Sequence, residues 1–171
     1  MPSDSDGSIC TGNLYSMFLT RELDMSQKLL EAEDDFEWWV MDMDDALDRF
    51  LDSLPPEIQE SLDFSPRSLN VLEAWLLATY PHLESLLTPE QTLMLDGAAR
   101  YIGETLRQAA GGHWSINLDD PMYVYFGLPI LKKIGTSSEI LCPLTLVTAA
   151  TDRRTGTYLY GVLQHLINSP S

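Results

Sequence analysis

The sequence predicts an α+β fold: helices first, then a small, largely antiparallel sheet of three to four strands packed on a central helix, then a C-terminal helix. Three observations carry this. Up to about residue 110, apolar side chains recur at steps of three and four, the spacing of one helical face. Gly111-Gly112 then ends the last of these helices, because glycine accepts the left-handed backbone that closes a helix. Beyond it the period changes to two: Trp114, Ile116 and Leu118 alternate with Ser115 and Asn117, the mark of a half-buried strand.

The elements follow in order. Residues 1–12 are small and polar and are expected to form a flexible tail, ahead of a single domain over 13–171. Residues 13–23 hold Leu14, Tyr15, Met17, Phe18 and Leu19, either a short helix or an arm packed on the body. A long helix is expected over residues 26–54, with Phe36, Trp39, Val40, Met43, Leu47, Phe50 and Leu51 on its apolar face. Ser26 is its cap and Pro55-Pro56 its stop. Ser65 and Pro66 suit the cap and first position of another helix, closed by Tyr80-Pro81.

The central helix is expected to begin at Thr88, with Thr88 and Gln91 forming a capping box and Pro89 at the first position. Gly97 and Gly103 each cost about 1 kcal/mol inside a helix, so they imply close approach of another element, most simply a sheet. After the first strand, Asp119-Asp120-Pro121 reads as a turn and residues 122–128 as a second strand. Residues 130–134 lead into a loop. A third strand is expected over 139–149, surest at Leu144–Thr148 because Pro143 interrupts the rest. Residues 158–167 close the chain as a helix.

Charge divides the chain. It has 171 residues and a net charge of −16. Residues 1–63, the acidic helical part, hold seventeen of the 26 acids and three of the 10 bases; the helix–sheet core over 64–171 is nearly neutral. The first part repels nucleic acid and anionic membrane and attracts a basic protein surface. The opening residues lack the positive region and apolar core of a signal peptide, and no apolar run reaches membrane-spanning length. Two distant cysteines, Cys10 and Cys142, do not suggest a disulfide framework. A cytoplasmic location is expected.

The search for chemistry is mostly negative. Asp42-x-Asp44 resembles the start of a calcium loop, but Leu47 stands where glycine is needed and Ser53 where glutamate is needed. His82, His113 and His165 are single and scattered, without zinc spacing. No nucleophile elbow, phosphate loop or dinucleotide fingerprint occurs. Cys142, before a proline among apolar residues, reads as an inert thiol. Glu104 with Arg100 and Arg107 suits surface ion pairs at helical spacing. No cofactor and no metal are expected.

Two sets of residues remain. Trp38 lies out of register with the apolar stripe, beside Met41 and among Asp34, Asp42, Asp45 and Asp48. Such an aromatic suits a partner anchor; the simpler alternative is that residues 13–23 cover it. The second set, Arg100, His113, Trp114, Tyr123 and Tyr125, would line a ligand pocket between the central helix and the sheet.

Tyr101-Ile102-Gly103-Glu104, followed by Gly111-Gly112-x-Trp114, resembles small uncharacterised bacterial α+β domains, some of them similar to immunity proteins of toxin systems. The resemblance covers about residues 88–128. It implies a bacterial, non-enzymatic protein and transfers no functional residue. The functional expectation is an acidic protein-binding module that masks a basic partner. A structural or oligomerising subunit, and a small-ligand or enzymatic domain, are the alternatives.

Overall fold

The computed structural model describes residues 30–135 and 139–168. The expected tail, the segment 13–23, the Ser26 cap and the loop tip at 136–138 lie outside them. The described residues form eight α-helices, one 3-10 turn and a three-stranded antiparallel sheet, so the chain is α+β.

The helices are α1 (Glu33–Met41), α2 (Met43–Asp52), α3 (Pro56–Gln59), α4 (Ser68–Thr79), α5 (Leu83–Leu86), α6 (Thr92–Ala110), α7 (Pro143–Arg153) and α8 (Tyr158–Asn168). The strands are β1 (His113–Ser115), β2 (Ile130–Lys132) and β3 (Ile140–Leu141), in that spatial order. Trp114 lies opposite Leu131, which in turn lies opposite Leu141.

α6 is the axis of the core. Leu95, Ala98, Tyr101, Ile102 and Leu106 are all essentially sealed from solvent, and α7, α2 and α8 pack around them. Its two interior glycines are packing devices with different partners. A Cβ on Gly97 would meet the root of the Phe50 side chain from α2, so this glycine serves a helix and not the expected sheet. A Cβ on Gly103 would run into the Trp114 ring from β1, which is the expected helix–sheet approach. Gly111 (φ 79°) and Gly112 (φ 100°) then take the left-handed backbone that turns the chain into β1.

Four expectations need correction. Where one helix is expected over 26–54, the described part of it holds two, Glu33–Met41 and Met43–Asp52: the backbone breaks at Asp42 (φ −81°, ψ 7°). The apolar stripe runs through the break unaltered, so periodicity alone does not reveal it. The central helix starts at Thr92, after a 3-10 turn at Pro89–Gln91, and Thr88 makes no side-chain cap bond.

Residues 122–128 are not a strand but a chain of turns. Asn117 accepts from the amides of Asp119 and Asp120, and Tyr123, Phe126 and Leu128 each donate to the carbonyl three residues back. The second strand lies at Ile130–Lys132, in the stretch expected to lead into a loop.

Residues 143–153 are helix, not strand. Leu144, Val147, Thr148 and Thr151 are buried at helical spacing. Pro143 occupies the first helical position, where its missing N–H costs nothing. The threonines that suggest a strand donate instead to carbonyls one turn back, Thr145 to Cys142 and Thr148 to Thr145.

Candidate functional site

α1 has no buried residue, and its Trp39 is partly buried against the core. The Trp39 indole donates to Asp96 at 3.0 Å, and its carbonyl accepts from Arg100 Nη1 at 2.7 Å. Arg100 lies over the Trp39 ring and is paired with Asp96 at 2.7 Å. The Trp39 ring also meets Trp114 edge-to-face, with centroids 5.0 Å apart. Fixing Trp39 inward fixes the rotation of α1.

At about 100° per residue, that rotation points Trp38 and Met41 away from the body. Among the described residues Trp38 is 68% exposed and Met41 73% exposed. Around them stand carboxylates: residues 33–52 carry nine acids and one base, Arg49. Asp34, Asp45 and Asp48 are exposed and make no ion pair among the described residues, whereas Asp42 is half-buried and bonded to Arg49 at 2.7 Å.

Beside this face runs an open groove of about 620 Å³ between α1 and the α6–β1 corner. Its apolar lining comes from Phe36, Val40, Met41, Met43 and Trp114. Glu37 and Asp44 edge one side, Arg107 and His113 the other. The groove thus unites Met41 from the expected partner set with His113 and Trp114 from the expected pocket set.

The other three residues of the pocket set are elsewhere. Arg100 is buried against Trp39. Tyr123 and Tyr125 touch each other edge-to-face at 5.8 Å on the connection between β1 and β2, and neither lines the groove. The cavity at the helix–sheet seam, bordered by Trp39, Asp96 and Trp114, measures about 60 Å³. That holds a few waters, well short of the roughly 300 Å³ at which small-molecule sites begin.

One corner residue has a role that spacing did not indicate. Glu104 accepts the Trp114 indole at 2.6 Å and holds Arg107 at 2.8 Å, while Arg100 pairs elsewhere. Burial acts to raise its carboxyl pKa, but the Arg107 hydrogen bonds, the Trp114 indole and the Arg107 charge together hold it below the ordinary value. The Gly103-Glu104 and Trp114 positions of the sequence motif are therefore one unit: glycine makes room for the ring and glutamate binds its edge.

Other reactive groups are also engaged. Glu73 is fully buried and accepts from the amides of Tyr158 and Leu159, closing the start of α8. Burial pushes the Cys142 thiol up to about 11. Among the described residues no group of three or more His, Cys, Asp and Glu could hold a metal ion. No described helix is long and apolar enough to cross a membrane. In comparisons with known proteins, no family model, no curated protein and no solved structure matches the chain.

Proposed function

We propose that this protein is an acidic protein-binding module, of inhibitor or immunity type, that covers a basic site on a partner protein. One observation carries the reading: Trp38 and Met41 stand exposed on a helix turned inward at Trp39, in a stretch where Asp34, Asp45 and Asp48 make no ion pair among the described residues. Large aromatic and methionine side chains supply binding energy when a partner buries them. The surrounding acids steer a basic surface toward them and make the encounter salt-sensitive. The groups best suited to catalysis, Glu104, Glu73, Arg100 and Cys142, are committed to structural contacts or sealed in the core, which favours binding over an enzymatic role.

The test is affinity capture from the native host at low salt, comparing the wild-type chain with Asp34→Lys/Asp45→Lys/Asp48→Lys. The expected result is a basic protein retained by the wild type, released by salt, and lost from the variant. Retention of nothing basic, or equal retention by the variant, contradicts the reading.

A further inference from the structure

We infer that the groove between α1 and the α6–β1 corner receives an amphipathic segment of the partner: an apolar anchor flanked by a lysine or arginine on one side and a carboxylate on the other. This rests on the binding function proposed above and specifies what the partner inserts.

Three features of the groove select this occupant. The first is shape. Its volume of about 620 Å³ leaves room for an apolar side chain. It is an open trough, which suits a polypeptide segment passing through rather than a free small molecule.

The second is continuity with the exposed face. Taking Phe36 as zero on the α1 wheel, Val40 lies at about 40°, Met41 at about 140° and Trp38 at about 200°. Val40 and Met41 border the groove, and Trp38 is the next apolar side chain round the helix. A segment lying in the groove thus continues over Met41 onto Trp38, and the two surfaces form one footprint.

The third is charge. The α1–α2 edge offers Glu37 and Asp44, neither in an ion pair among the described residues. The opposite edge offers Arg107, paired with Glu104, which also lines the groove, through Nε and Nη2, so that Nη1 alone remains available among the described residues. His113 stands beside it, exposed, at the start of β1. A purely basic segment would satisfy one edge only. A segment with a cation and a carboxylate on either side of its apolar anchor satisfies both, and its direction across the groove is then fixed.

The experiment uses the full chain, isotope-labelled, and three synthetic peptides. The first is amphipathic, with leucines, lysines and a glutamate; the second replaces its leucines with serine; the third replaces its glutamate with glutamine. The first is expected to bind roughly tenfold tighter than the second, as burial of leucine in the groove requires. It should shift the Val40 and Gly112 amides and the Trp114 indole resonance, and Val40→Gln should abolish its advantage. The third should bind a few-fold more weakly than the first.

Equal binding of the first two peptides, with shifts confined to Asp34, Trp38, Asp45 and Asp48, overturns the groove and leaves the acidic binding face standing. Binding of neither peptide overturns both. Shifts at Val40 and Trp114 on Phe18→Ala or Leu19→Ala without peptide would show the groove filled by this chain's own N-terminal segment. A dimer that Val40→Gln dissociates would show it filled by a second copy. Either result overturns the proposal.

Discussion

The Arg100 guanidinium lies 4.0 Å from the centre of the Trp39 ring and donates to the carbonyl of the same residue at 2.7 Å. One cation therefore grips α1 by both ring and backbone. Its charge is balanced by Asp96, which also accepts the Trp39 indole. The four contacts close a ring around a single tryptophan, one turn before the backbone break at Asp42. This hold turns Trp39 inward, and with it the rotation of α1 that leaves Trp38 on the surface.

Arg100→Met is accordingly expected to destabilise the fold by about 3 kcal/mol, because it leaves the half-buried Asp96 without its cation and frees the Trp39 carbonyl. The loss should be uneven. Amide exchange should speed up first over Glu33–Met41, while α6 stays protected until global unfolding. Uniform acceleration across both helices would mean that α1 is held by other contacts.

Glu104 gives the fold an acid-sensitive corner. Its carboxyl pKa is depressed in the folded state, so the stability it contributes is fully present above the ordinary value of 4.5 and is lost as the pH falls through the lower folded value. Glu104→Gln keeps an acceptor for the Trp114 indole but removes the anionic partner of Arg107. It should cost roughly 1–2 kcal/mol at neutral pH and flatten this part of the acid dependence. Urea titrations of both forms from neutral pH down through this window measure it. Parallel curves would remove Glu104 from the account.

Three helical glycines should respond with opposite signs. Gly97→Ala forces the root of the Phe50 side chain to move, and Gly103→Ala displaces the Trp114 ring; each is expected to destabilise by about 2 kcal/mol. Gly161 in α8 has open space where a Cβ would go, so Gly161→Ala should stabilise by roughly 0.5–1 kcal/mol. Thermal melts of the three variants separate close approach from mere helix propensity. If all three stabilise, the packing role is wrong.

Glu73 links α4 to α8 across more than eighty residues of chain. Glu73→Ala strands the Tyr158 and Leu159 amides at a helix start and opens a buried space, with an expected cost of about 3 kcal/mol. Glu73→Gln retains one acceptor and should cost less. Equal stability of the alanine variant and the wild type would show that water replaces the carboxylate.

Elements that decide their own state are legible in the sequence. Leu47 and Phe50, or Leu159, Val162, Leu163 and Leu166, mark helices by spacing alone, and Gly111-Gly112 marks the exit from α6. Elements that tertiary context decides are not. Residues 143–153 are rich in β-branched side chains, yet the core takes Leu144, Val147 and Thr151 as one helical face and the threonine hydroxyls find carbonyls within the helix. Ile130–Lys132 is too short to show alternation and becomes a strand only because Trp114 and Leu141 flank it.

The candidate site was legible in part for the same reason. Trp38 and Met41 follow from the phase of one helix. The groove does not, because its walls come from residues 36–44 and 104–114, which meet through contacts distant in sequence such as Trp39 with Trp114. Glu104 was visible as a partner of Arg107; its bond to Trp114 depends on the turn at Gly111-Gly112.

Photo-crosslinking in the native host reads out whether a basic protein covers the Met41 face. A photoreactive side chain at position 41, on the proposed footprint, is compared with one at position 122, where Met122 is 88% exposed but lies off it. A covalent adduct with a basic protein is expected from position 41 and none from position 122. No adduct at either position, or the same adducts at both, would contradict the proposed binding function.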